Sequence, residues 1–214
     1  KIAKKYKLLV IEDAAHALGS KYKGKNIGSF ADLTILSFHP VKTITTGEGG
    51  MVLTNRKDFY EKLKTFRSHG IVKNPKKGGW YYEVQGLGLN YRLTDLQCAL
   101  GISQLRKVDK FIKRRREIVR QYNQAFRNLK EIITPVERGY VRSAWHIYVI
   151  QLRLEKLKKD RKEIFKTLQE EGLGVQVHYI PLHLQPFYRK KFNYKVGAFP
   201  SAEKYYQGAI SLPL

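Results

Sequence analysis

The residues in this chain best suited to chemistry lie between Ser37 and Gly50, SFHPVKTITTGEGG, with Lys42 at the centre. Asp32 to Phe38 is apolar and rich in β-formers, and Met51 to Thr54 reads the same way, so Lys42 sits on the connection between two predicted strands. Gly47, Gly49 and Gly50 surround Glu48 and supply the backbone freedom and close approach that such a connection needs. A lysine withdrawn from water loses its proton more readily, and a neutral amine condenses with an aldehyde to a Schiff base. Pyridoxal phosphate is such an aldehyde; its ring nitrogen calls for a carboxylate and its phosphate for hydroxyl or amide donors. Ser37, five residues before Lys42, offers a hydroxyl. KLLVIEDAAHALGS, Lys7 to Ser20, reads as a buried strand ending in Glu12 and Asp13, followed by small residues and His16. Carboxyl ends of neighbouring strands are where α/β proteins build sites. The bland alternative is that Lys42 is one more solvated surface charge, which is what most lysines are.

The elements that must position these residues follow from periodicity. Tyr22 to Ser29 is a turn pair. Arg56 to Phe66 places Phe59, Leu63 and Phe66 on one helical face. Arg67 to Gly88 holds five glycines and one proline with Trp80, Tyr81 and Tyr82 interleaved, a loop long enough to be a lid, a subunit contact or an aromatic surface that stacks on bases. Thr94 and Asp95 stand where an N-cap and first turn belong, ahead of a stripe of Leu96, Ala99, Leu100 and Leu105. Asn90 therefore precedes a helix N-terminus, where anions are favoured, or is a turn residue bonding its own backbone. Lys107 to Lys130 predicts a long amphipathic helix, with Val108, Phe111, Ile112, Ile118, Val119, Tyr122 and Phe126 as its apolar stripe. Beyond it come a strand at Trp145 to Leu152, a helix at Lys158 to Glu171, a strand at Gly174 to Ile180 and a helix at Ser201 to Ala209. Two domains are expected: residues 1–125, sheet-based, and 126–214, small and α+β.

VIEDAAHALGS, SFHPVKTITTGEGGMVLTN, FRSHGI and GLGLNYRLTDLQCALGISQL, in that order, resemble the signature blocks of the DegT/StrS family of pyridoxal-phosphate-dependent nucleotide-sugar aminotransferases. The resemblance runs essentially end to end. It implies an α/β fold like that of aspartate aminotransferase, with residues 1–125 as the C-terminal portion of the large cofactor-binding domain. It implies transfer of an amino group from glutamate to the C4 ketone of a UDP-linked 4-keto-6-deoxy sugar. Carried over residue by residue, Lys42 holds the cofactor aldehyde, Asp13 pairs with the ring nitrogen, Ser37 meets the phosphate, and Asn90 reaches the phosphate in the partner subunit. That last role implies a homodimer with shared sites. His16 stands where many family members have glutamine, and His178 is carried over to the sugar-nucleotide side. Because family members are longer and place a phosphate loop before this start, the resemblance also implies a fragment. Related dehydratases that use pyridoxamine phosphate carry histidine in place of the Schiff-base lysine; here Lys42 is present, with His39 nearby.

Composition bounds the alternatives. With 41 Lys+Arg against 18 Asp+Glu, the formal charge is +23, which attracts polyanions. A basic nucleic-acid-binding module is thus a rival reading. The basic residues are spread along the chain without finger spacing, ribonucleoprotein aromatics or a basic arm, which favours a solvated surface that also helps capture anionic substrates. His178 and His183, five apart around Pro181, do not have metal-ligand spacing on a helix and no cysteine or carboxylate cluster joins them. Cys98 is the single cysteine, so no intrachain disulfide is possible and a cytoplasmic setting is expected. No apolar run approaches membrane-spanning length.

Overall fold

The computed structural model describes residues 1–214. A four-residue helix, α1 (Ile2–Lys5), precedes β1 (Ile11–Asp13), and a hairpin of β2 (Lys21–Tyr22) and β3 (Lys25–Asn26) follows. Next come β4 (Leu33–Ser37) and β5 (Gly50–Leu53). These strands form a three-stranded sheet in the order β1-β4-β5, with β1 parallel and β5 antiparallel to β4. The register sets Asp13 opposite Ile35 and Ser37 opposite Gly50. Along β4, Thr34 and Leu36 are buried while Ile35 is exposed, the period-two alternation of a sheet packed on one face. Leu36 joins Ala14, Phe38 and Ile44 in a core lined by Leu53, Val108 and Phe111. On that face the Thr34 hydroxyl also donates to the Glu12 carboxylate at 3.0 Å. At Gly50 an added Cβ would lie 2.7 Å from the Leu36 carbonyl oxygen, so only glycine fits there.

The strand expected to be buried at the chain start is not. Leu8, Leu9 and Ile11 are more than half exposed, because β1 is an edge strand and its Ile11 and Asp13 lie on the face away from the core.

The helix α2 (Lys57–Phe66) follows. The stretch read as a long loop instead folds as an antiparallel ladder of β6 (Ile71–Lys73) and β7 (Tyr82–Val84), with a 3₁₀ turn at Pro75–Lys77. Its strands are too short to show periodicity. Glu83 ties them: its carboxylate accepts from the Tyr81 hydroxyl at 2.7 Å and from Lys77 at 3.0 Å. These bonds, that from Tyr81 first, hold the Glu83 carboxyl below its usual range. Then come α3 (Asp95–Leu105) and α4 (Val108–Ala125).

Two compact units emerge, Lys1–Ile112 with Tyr140–Ala144, and Lys113–Gly139 with Trp145–Leu214. The division falls inside α4. The second unit contains β8 (Ile132–Ile133), β10 (Tyr148–Leu152), α5 (Arg161–Glu170), α6 (Pro186–Phe192), α7 (Pro200–Gly208) and β11 (Ala209–Leu212), whereas β9 (Val141–Arg142) returns to pair with β2 in the first. In the second unit β10 is central, antiparallel to β11 and β8. Tyr148, Ile150, Val175, Ile210 and Leu212 are buried there together with Val119 and Trp145. Each such side chain contributes about 1.5–3 kcal/mol of transfer free energy. α5 starts on a capping box: Asp160 accepts from the Glu163 amide, and Glu163 accepts from the Asp160 amide. The strand expected at Gly174 to Ile180 is reduced to one bridge, in which Gln176 and Ser211 exchange both backbone amide bonds.

Candidate functional site

Parallel pairing of β1 with β4 puts their carboxyl ends at the same edge, and the register puts Asp13, Ile35 and Ser37 on one face. Lys42 follows on the connection that leaves β4, at the close of a turn in which its amide donates to the His39 carbonyl at 2.9 Å. The structure therefore gathers Asp13, Ser37 and the Lys42 loop at one end of one sheet. The Asp13 carboxylate accepts from the Ala15 amide at 3.1 Å, which fixes the carboxyl while leaving it capacity for a further donor. The Ser37 hydroxyl accepts from the His39 amide at 3.4 Å, leaving its proton available. Lys42 is half-buried and forms no side-chain ion pair. A charged ring nitrogen, a phosphate and an aldehyde each find a complementary group here, so these residues fit pyridoxal phosphate.

The connection carrying Lys42 is tightly built. The Phe38 amide donates to the Gly49 carbonyl at 2.8 Å, and the Thr46 amide donates to the Phe38 carbonyl at 3.0 Å. The Thr45 hydroxyl reinforces the Phe38 carbonyl at 3.1 Å and accepts from the Gly47 amide at 2.9 Å. Thr43, Ile44 and Thr46 are buried. Lys42 thus projects from a loop whose base is closed by hydrogen bonds and whose middle is anchored in the core by Ile44. Two grooves, of about 540 and 450 Å³, are lined by other residues, the larger by Phe59, Leu63, Phe66 and Leu87.

The remaining predicted residues are placed differently. His16 is exposed, three residues beyond Asp13. Asn90 is exposed and bridges Ser68, five residues before the start of α3. His178 belongs to the second unit, where its Nδ1 lies 2.7 Å from the Ser211 hydroxyl. Sequence reasoning missed Gln97, whose side chain reaches the lysine loop across 49 residues. The Thr-Asp-Leu-Gln spacing announces a capping box, but nothing local reveals the distant partner.

A family profile described as the DegT/DnrJ/EryC1/StrS aminotransferase family matches residues 1–214. The chain belongs to this family. It is 45% identical to a UDP-4-amino-4,6-dideoxy-N-acetyl-beta-L-altrosamine transaminase of Campylobacter jejuni over 99% of this chain and 55% of that protein. Among solved structures it resembles Helicobacter pylori PseC, an aminotransferase involved in the biosynthesis of pseudoaminic acid. There the TM-score is 0.91 and the identity 37%, over 99% of this chain and 56% of that one. It also resembles the putative sugar aminotransferase Spr1654 of Streptococcus pneumoniae in its PLP form, with a TM-score of 0.87 and 30% identity over 100% of this chain and 55% of that one. The chain spans about half the length of the relatives it matches. The fold is accordingly that of these sugar aminotransferases, as the mixed sheet and flanking helices show. No helix is long and apolar enough to cross a membrane.

Proposed function

We propose that this chain is the lysine-bearing part of a pyridoxal-phosphate-dependent aminotransferase that moves an amino group from glutamate to the C4 ketone of a UDP-linked 4-keto-6-deoxy sugar, in a pathway of the pseudaminic acid type. The observation that carries the reading is the convergence of Asp13, Ser37 and Lys42 at the carboxyl edge of paired strands β1 and β4. The names of the transaminase relative and the PseC structure support the substrate class.

When bound, pyridoxal phosphate supplies an aldehyde for the lysine amine and a ring that accepts electrons from the carbon being deprotonated. Lys42 Nζ would hold the aldehyde carbon and, freed by the amino donor, would take the proton from the donor's α-carbon as general base and deliver it as general acid to the former aldehyde carbon. In the second half-reaction it would move a proton in the reverse sense, toward the sugar C4. Asp13, fixed by the Ala15 amide, would accept a hydrogen bond from the ring N–H and keep that nitrogen charged. Ser37 would donate to a phosphate oxygen, His16 would lie beside the ring or its oxygen, and His178 would serve the sugar-nucleotide side.

Asn90 would reach the phosphate in the partner subunit of a homodimer. Exposed apolar surface supports such an assembly: Leu96 is 83% and Leu87 86% exposed, and Ile102 and Leu105 of α3 are about half exposed. The exposed free thiol of Cys98 suits a reducing cytoplasmic setting. The rival reading as a nucleic-acid module rests on charge alone, and the family match over every residue weighs against it. A lysine at position 42 favours transamination over dehydration.

The test is to incubate the protein with pyridoxal phosphate, reduce with borohydride and map the adduct by peptide mass. Labelling concentrated on the Lys42 peptide and lost in Lys42→Ala is the expected result. Labelling spread over other lysines and unchanged by that substitution refutes the reading. The same preparation should sediment as a dimer.

A further inference from the structure

The first turn of α3 does two jobs with one side chain. Gln97 Oε1 accepts from the Thr94 amide at 2.9 Å and from the Thr94 hydroxyl at 3.2 Å, while the Gln97 amide donates to Thr94 Oγ1 at 3.3 Å. That is the reciprocal N-terminal cap, and a glutamate in this place caps as well as a glutamine does. Capping uses only the oxygen. The Nε2 group points the other way and donates to the Glu48 carbonyl at 2.9 Å, the same carbonyl that accepts from the Thr46 hydroxyl at 2.7 Å. Both lone pairs of the Glu48 carbonyl are thereby engaged, one from within the lysine loop and one from α3.

The neighbouring glycines show that this approach is close. Gly101, one helical turn beyond Gln97 on the same face, would place a Cβ 2.9 Å from Thr46 Cγ2. Gly49, in the left-handed region at φ 157°, would meet Thr46 Oγ1 and Leu93 Cδ2. The helix start therefore rests directly on the far limb of the loop, and Thr46 is the contact on the loop side.

We propose that Gln97 is a positioning residue for Lys42: its carboxamide nitrogen clamps the Glu48 limb so that the loop from Phe38 to Gly49 presents the lysine in one place. The proposal rests on the reading of Lys42 given above. Removing the clamp leaves the Thr46 hydroxyl as the only tie on the Glu48 carbonyl, and the limb opens more often. Because Thr46 N and Phe38 N are bonded within that loop, their exchange with solvent reports the opening directly.

Gln97→Glu is the discriminating variant, since it retains an acceptor for the Thr94 amide while replacing the donor with a carboxylate oxygen that repels the Glu48 carbonyl. Gln97→Ala removes both and is the control for simple loss of the cap. Two measurements are made on each protein. Amide hydrogen exchange is followed at Phe38 and Thr46, with Ala14, bonded to the Ile35 carbonyl, as the remote reference. The rate of borohydride-fixed labelling of Lys42 by pyridoxal phosphate is followed beside it, with its pH profile. Gln97→Glu should speed exchange at Phe38 and Thr46 by about tenfold, the factor that one lost neutral hydrogen bond carries. Ala14 should be unaffected, and the pH profile of Lys42 labelling should shift. Unchanged loop exchange and an unchanged profile in Gln97→Glu overturn the proposal. If Lys42 is not labelled even in the parent, the functional reading fails and takes the positioning role with it, while the exchange arm still shows whether the clamp exists.

Discussion

Replacing Gly101 with alanine sets two opposing effects against each other, and the geometry decides between them. Gly101 lies inside α3, where alanine is favoured over glycine by about 1 kcal/mol. The new methyl, however, would sit 2.9 Å from Thr46 Cγ2, well inside the roughly 3.5–4.0 Å separation that carbon atoms prefer. Thr46 cannot give way easily. It is 3% exposed, its hydroxyl donates to the Glu48 carbonyl and its amide to the Phe38 carbonyl. Overpacking at such a site costs about 1–3 kcal/mol, so the substitution should leave the protein between unchanged and about 2 kcal/mol less stable. Thr46→Ser removes the offending methyl while retaining the hydroxyl. In that background Gly101→Ala should instead stabilise by about 1 kcal/mol. Urea denaturation of the parent, both single variants and the double variant closes a cycle whose expected coupling is about 1–3 kcal/mol. If Gly101→Ala stabilises equally in both backgrounds, with coupling within about 0.3–0.5 kcal/mol of zero, α3 does not rest on the lysine loop and Gln97 does not clamp it.

Two further outcomes follow from the second unit. The Tyr148 side chain is fully buried, its hydroxyl donates to Asn123 Oδ1 at 2.6 Å, and burial, with the neighbouring Tyr122, pushes its pKa up to about 12. Since the unfolded phenol ionises near 10, the folded state holds more protons between these values. Stability relative to Tyr148→Phe is therefore full below about pH 10 and falls by about 1–2 kcal/mol as pH rises toward 12; parallel pH curves for the two proteins would refute this. His183, 7% exposed between Tyr194 and Phe199, bonds Glu203 at 2.8 Å. That bond, helped by the Gly197 and Phe199 amides, holds the Glu203 carboxyl below its ordinary range. A depressed carboxyl stabilises above its unfolded value of roughly 4.3, so Glu203→Gln should lower Tm at neutral pH by an amount that shrinks as pH falls below about 4. A Tm difference that persists undiminished at pH 3 would count against the pair.

The amino-acid sequence by itself determined what near neighbours decide. β4 and β5 were legible from β-rich runs flanking glycines, the α3 start from Thr94, and α4 from an apolar stripe every three to four residues, because alternation, caps and helical faces are fixed within a few residues along the chain. Lys42, Asp13 and Ser37 were legible as types at strand ends. Tertiary structure alone decided that Asp13 stands beside Ile35, two residues from Ser37, since a one-residue slip would have turned Asp13 to the core face. It decided that residues 67–88 fold as a ladder and that β1 lies on an edge with Ile11 in solvent. It also decided that Gln97 spends its spare donor on Glu48, 49 residues away. Such choices depend on which distant segments close into contact, and closing a loop costs only slowly more with its length. Local pattern therefore says little about the partner, and packing selects it.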